Sequence, residues 1–287
     1  MSRGAGGRYA GRRRLLTPLL LTLASWGASA GAAGPQGGKP LLSVTDPAGD
    51  AHGAGTSTLP TSPLIRPEAL DLRRFEVWPN GKTLTFLVEF GALDNPWNAP
   101  SGFSAQTLDI FVDTRRSEGQ TQLADLNLQA AGGKWNYHLR VTGFGAAWAA
   151  AAPDDPALPP PRVTAEGQTL RIDTALPRGD NLYWVTSSVF SPFSPAGLLR
   201  PGGSGPFAVN NLNAKADSTG PVPLDVLAAQ DAPDAFNTGQ LLASGHPRDP
   251  RLWLLWALSL LGLGLSLAAT LNLLSRPNPG AKPPEYE

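Results

Sequence analysis

The chain has 287 residues, 23 basic and 23 acidic side chains, 32 glycines, 29 prolines and no cysteine. Without cysteine, disulfides, thiolate metal centres, thiol nucleophiles and c-type haem attachment are excluded. The balanced charge hides a partition: residues 1–30 hold five arginines and no acid, whereas residues 31–249 hold fifteen basic against twenty-one acidic side chains. That acidic body has no Lys/Arg stripe, which argues against nucleic acid, since phosphate neutralisation needs basic clusters.

Residues 1–30 read as a secretory signal. Arg3, Arg8, Arg12, Arg13 and Arg14 form a basic start, Leu15 to Trp26 is apolar but short for a span, and Ala28-Ser29-Ala30 offers a small-residue cleavage site. An uncleaved anchor is the alternative. Residues 31–40 are a Gly/Ala/Pro/Gln spacer without hydrophobic period.

Leu41 to Thr45 reads as a strand and runs into Asp46-Pro47-Ala48-Gly49-Asp50-Ala51-His52-Gly53-Ala54-Gly55, with Asp71 following before the next strand. Short carboxylates on a Gly-rich loop suit a hard cation such as calcium, which takes six to eight oxygens. Asp46, Asp50 and Asp71 are the candidate ligands. An ion-free Asx turn uses the same residue types and stays open.

From Arg73 onward apolar residues alternate at period two: Phe75 and Val77; Leu84, Phe86, Val88 and Phe90; Leu108, Ile110 and Val112; Trp135, Tyr137, Leu139 and Val141. Asn80-Gly81 joins strands Arg73–Trp78 and Thr83–Phe90 as a hairpin, Gly167 does the same between Arg162–Ala165 and Thr169–Asp173, and Leu182–Phe190 is a longer strand. A short helix is expected near Leu224–Ala229. The pattern predicts an all-β, antiparallel β-sandwich of about eight to ten strands over residues 41–243. Two long loops are expected, Ala146 to Pro161 and Ser191 to Asp217.

After a linker at 244–251, Leu252 to Leu274 is 23 residues without a charge, with Trp253 and Trp256 in its first turn. At about 1.5 Å per residue it can cross a hydrocarbon core of about 30 Å. A single transmembrane helix is expected, with residues 275–287 as a cytoplasmic tail and the N-terminal body extracytoplasmic, periplasmic or at the cell surface.

Catalytic patterns are poor. Gly27-Ala28-Ser29-Ala30-Gly31 fits Gly-x-Ser-x-Gly but lies at the signal cleavage region, without the strand-turn-helix that motif needs. The three histidines are His52, His138 and His246; His138 is read as a surface or rim residue. Asp109 and Asp113 share a strand face about 13 Å apart by strand rise, wider than the roughly 5–9.5 Å of glycosidase carboxylate pairs. Methionine occurs only at Met1, so His/Met haem ligation is excluded and no haem is expected. No enzyme activity is expected.

The run Asp-Pro-x-Gly-Asp-x-x-Gly-x-Gly resembles the C-terminal module of glucodextranase and its relatives. So do Asp71-Leu72 leading into Phe75-Glu76-Val77, Asn95-Pro96-Trp97, Gly102-Phe103-Ser104 and Leu108 to Asp113, with Trp135-x-Tyr137, Tyr183-Trp184-Val185 and Asp225-Val226-Leu227 further on. The resemblance covers residues 41–243 and implies a sandwich similar to DOMON-like and family 9 carbohydrate-binding domains, attached to glucan-degrading enzymes or standing on cell surfaces. Where aromatics are expected after Gly-x-Gly, this chain has Thr56-Ser57-Thr58-Leu59-Pro60. It implies a non-catalytic module for carbohydrate, an α-glucan or envelope polysaccharide. The alternative is an assembly subunit with an envelope protein partner and no sugar. Aromatic faces with a few polar groups are what a sugar site uses. Trp135 and Trp184 fall in core phase, which leaves Trp97 and Trp148 as platforms, with Asn95 beside Trp97.

Overall fold

Period-two alternation folds into strands whose apolar faces meet. The computed structural model describes residues 38–53, 57–115, 118–202, 205–211, 220–229, 231–245 and 250–274. The signal expected at 1–30, most of the spacer, His246 and the tail expected at 275–287 lie outside the described residues. The elements are β1 (Leu42–Thr45), β2 (Ser57–Thr58), β3 (Leu72–Asn80), β4 (Thr83–Phe90), β5 (Gln106–Asp113), β6 (Gln122–Leu123), β7 (Leu128–Ala131), β8 (Tyr137–Thr142), β9 (Gly145–Ala150), β10 (Arg162–Glu166), β11 (Thr169–Pro177), β12 (Leu182–Val189), β13 (Asn210–Asn211), β14 (Asp225–Val226), α1 (Ala235–Thr238), β15 (Gln240–Leu242) and α2 (Pro250–Leu274).

Two five-stranded sheets make the sandwich, in the orders β1-β3-β4-β11-β10 and β14-β12-β5-β8-β9. All their pairings are antiparallel. The β3–β4 and β10–β11 hairpins close through Gly81-Lys82 and Gly167-Gln168. Gly81 and Gly167 adopt φ of 59° and 65°, the positive values that two-residue hairpins demand and a Cβ resists. Between the sheets lie Phe75, Val77, Phe86 and Ile172 from one and Leu108, Ile110, Leu139 and Tyr183 from the other. Phe75, Phe86 and Tyr183 meet with centroids 5.6, 5.4 and 5.7 Å apart, in tilted or edge-on geometry that adds about 0.5–1.5 kcal/mol per pair beyond area burial.

The second sheet is covered on its outer face as well. Phe111, Trp135 and Trp184 form a second cluster with Leu123, Leu128, Ala235 and Leu241, from the β15-β7-β6 sheet and α1. Every residue of β12 is therefore buried, and all of β5 except Asp113. Trp135 and Trp184 are core residues, as their phase predicts.

Two local expectations change. The segment near 224–229 is not helical: Asp225 and Val226 pair with Ser187 and Thr186 of β12, and the short helix lies later, at α1. There Asp234 caps the start by accepting the Phe236 and Asn237 N–H groups, and Gly239 ends it at φ 69°. The alanine-rich run expected as loop is strand β9, registered against β8 from Tyr137–Ala150 to Thr142–Gly145. Backbone pairing there overrides the weak β preference of alanine. The loop proper is 151–161.

α2 has 25 residues, about 37 Å at 1.5 Å per residue. It includes an 18-residue window, Leu255–Asn272, of mean hydropathy 1.6, long and apolar enough to cross a membrane. It begins two residues before the expected Leu252, with Pro250 at its first position, where a missing N–H costs nothing.

Candidate binding sites

Loop 46–53 folds back from β1 because Asp46 N–H bonds to the Arg73 carbonyl at 2.9 Å and Gly53 N–H to the Leu224 carbonyl at 2.8 Å. Gly53 sits at φ 61°, and a Cβ there would meet Ser57 Oγ at 3.0 Å and Leu224 Cδ2 at 3.2 Å. Only glycine lets the loop press this closely on the segment that leads into β14. Folding the loop this way gathers carboxylates from three parts of the chain.

One carboxylate oxygen from each of Asp46, Asp50 and Asp225 lies within 4.8 Å of the others. Asp46 and Asp225 are only 4% and 2% exposed. Backbone N–H groups aim them: Ala228 donates to Asp46 Oδ1 at 2.7 Å, Leu72 to Asp225 Oδ2 at 2.7 Å, and Val226 to Asp225 Oδ1 at 2.8 Å. Asp71 stands beside this trio rather than within it. Its Oδ2 accepts the Gly49 N–H at 2.9 Å and pairs with Arg73 at 2.6 Å. Asp46 Oδ2, Asp50 Oδ1 and Asp71 Oδ1 are buried with no hydrogen-bond partner.

Burial, reinforced by the neighbouring carboxylates, pushes the Asp46 carboxyl up to about 8 and that of Asp225 up to about 9. Burial also raises Asp50 and Asp71. The group faces a cleft of about 260 Å³ whose lining includes Asp50, His52, Asp225 and Asn237. Sequence reading found Asp46, Asp50 and Asp71 but not Asp225. Its signal was a charged residue inside the apolar run Val222 to Leu227.

The aromatic candidates divide. Asn95 spends its side chain on its own loop, Nδ2 donating to the Ala99 carbonyl at 2.9 Å and Oδ1 accepting the Ala99 N–H at 2.7 Å. Trp97 is half-buried, packs on the cluster of Ile65, Leu70 and Val189, and lies 6.2 Å from Phe190. Phe190 stacks on Phe144 at 5.3 Å, and Phe144 and Phe193 are exposed.

Trp148 is on the core-facing side of β9, edge-on to Tyr137 at 6.2 Å. With Tyr137, Asp155 and Leu158 it lines a cavity of about 370 Å³. A second cavity of about 300 Å³ shares Tyr137, Asp155 and Leu158. Tyr137 donates its hydroxyl to the Pro156 carbonyl at 3.2 Å. The Trp148 indole N–H and Asp155 Oδ2 are buried with no hydrogen-bond partner.

His138 is buried, contrary to the rim position expected, because the outer face of its sheet is covered. Its Nε2 lies 2.6 Å from Asp109 Oδ1 and its ring stacks on Phe111 at 4.0 Å. Arg140 Nε donates to the same Asp109 oxygen at 2.7 Å, and its NH1 to Asp125 at 3.0 Å. The arrangement holds β5, β8 and the segment before β7 together. It leaves His138 enclosed and turned away from solvent.

No curated protein matches the chain. A family model does match, and it ends at 179, short of the 243 at which the resemblance read from sequence stops. Residues 41–179 match the family model of the C-terminal, SLH-like binding module of glucodextranase.

Proposed function

We propose that this chain is a membrane-anchored, extracytoplasmic, non-catalytic module that binds carbohydrate, an α-glucan or envelope polysaccharide. The observation that carries the reading is the family match over residues 41–179, to a binding module. The apolar α2 supports anchoring, and the signal expected at residues 1–30 supports an extracytoplasmic body.

Within the sandwich, the cavity at Trp148 suits a sugar better than Trp97 does. A pyranose offers apolar C–H faces and hydroxyls that both donate and accept. The Trp148 and Tyr137 rings supply apolar surface, and Asp155 lines the same cavity with a carboxylate. At Trp97, the neighbouring Asn95 is turned onto its own loop by two hydrogen bonds to Ala99.

Calorimetric titration of the full chain in nanodiscs with soluble α-glucans and envelope polysaccharide tests this. Trp148→Ala weakens binding by roughly 30-fold, the effect of losing an anchor worth about 2 kcal/mol, while Trp97→Ala leaves it near wild type. Binding that survives Trp148→Ala moves the site elsewhere.

A second reading, an assembly subunit that docks an envelope protein, is favoured by one observation. Phe193 is 96% exposed and Phe144 51% exposed, the kind of apolar surface that partners cover. Absence of heat with every glycan, together with co-purification of a partner lost on Phe144→Ser and Phe193→Ser, decides for it.

A further inference from the structure

We infer that Asp46, Asp50 and Asp225 bind one calcium ion, and that the ion clips strand β14 to the loop that follows β1. The ligand set is oxygen only, which calcium takes and softer metals do not favour.

The geometry fits a cation rather than a turn. An Asx turn needs one carboxylate bonded to its own backbone. Here three aspartates from positions 46, 50 and 225 converge within 4.8 Å. Asp46 is held through one oxygen by a backbone N–H, and its other oxygen, though buried, has no hydrogen-bond partner. A buried polar atom in that state costs free energy unless something satisfies it. Asp71 adds a fourth carboxylate at the border, and the Arg73 guanidinium is paired with it at 2.6 Å. A divalent cation balances the remaining charge and supplies the partner that Asp46 Oδ2 and Asp50 Oδ1 lack. The cleft at Asp50, His52 and Asn237 gives the ion an entry path and room for water ligands.

The consequence is mechanical. β14 contributes only two residue pairs to its sheet, flanked by the Leu224 N–H to the Ser187 carbonyl and the Leu227 N–H to the Val185 carbonyl, both at 2.9 Å. Its Asp225 lies beyond the family match at 41–179. A shared ion joins this distant segment to the loop after the first strand, adding a tie to β1 that the hydrogen bonds to β12 do not provide.

The test uses the full chain in nanodiscs, stripped with EDTA and titrated with calcium chloride alone by calorimetry and thermal melting. One calcium per chain is expected, with a melting-temperature rise of roughly 5–10 °C at a calcium concentration about 100-fold above Kd. Asp225→Asn and Asp46→Asn abolish both signals. Asp50 is only half-buried, so Asp50→Asn keeps the variant folded. It melts at or above the stripped wild type, since like-charge repulsion is relieved, and gains little from calcium. Asp173→Asn, outside the cluster, responds as wild type. A wild-type chain with neither calcium heat nor shift, or an Asp50→Asn variant with the full wild-type shift, overturns the inference.

Discussion

Asp109→Ala is expected to unfold the module at a lower temperature because Asp109 is the hub of a buried network rather than a reacting group. Its side chain is fully buried, and one oxygen serves both His138 and Arg140. Removing one partner of a buried charge pair costs about 3–5 kcal/mol, mainly through the charge left behind. Arg140 keeps its 3.0 Å contact with Asp125 and is 17% exposed, which places the loss at the lower end, about 3 kcal/mol. In a domain of this size that is roughly 6–12 °C in Tm. Asp109→Asn retains an acceptor for one neighbour but not the charge, so it falls between wild type and Asp109→Ala. Tryptophan fluorescence reads the transition well, because Trp135 lies 6.1 Å from His138. A shift under about 2 °C for Asp109→Ala would refute the network's structural role and reopen Asp109 and His138 as functional groups.

Asn95→Ala is expected to lower stability by about 1–2 kcal/mol through loss of two loop hydrogen bonds, seen in a thermal melt, while glycan affinity stays at wild type. Asp173 sets an acid limit. Burial disfavours its carboxylate, but hydrogen bonds from Arg171 and Thr85 outweigh that and hold its pKa below the usual carboxylate range. Its stabilisation is therefore full above the unfolded value of about 3.9 and is lost as pH falls through the lower folded value. Melts of wild type and Asp173→Asn across that window should converge as pH falls; parallel curves contradict the assignment.

What the sequence disclosed was local. Strand β4 came out with its limits at Thr83 and Phe90 because Asn80-Gly81 fixes one end and the Leu84, Phe86, Val88, Phe90 alternation fixes the face. Asp46 and Asp50 were legible as a loop because both sit within five residues of one glycine turn. Asp225 was not, since only tertiary folding brings it across to Asp46. His138 shows the limit of alternation itself. Period two separates the two faces of a strand but does not say whether the polar face meets water or, as here, a second layer built from β6, β7 and β15. Trp148 was placed in a loop because alanine is a poor strand former, and pairing with β8 decides that segment instead.

The most direct test of the binding reading is co-sedimentation of the full chain in nanodiscs with insoluble α-glucan and with isolated envelope polysaccharide. The chain is expected to pellet with at least one of them, and the Trp148→Ala variant to stay in the supernatant. Wild-type protein that stays in the supernatant with every polysaccharide contradicts a carbohydrate-binding role.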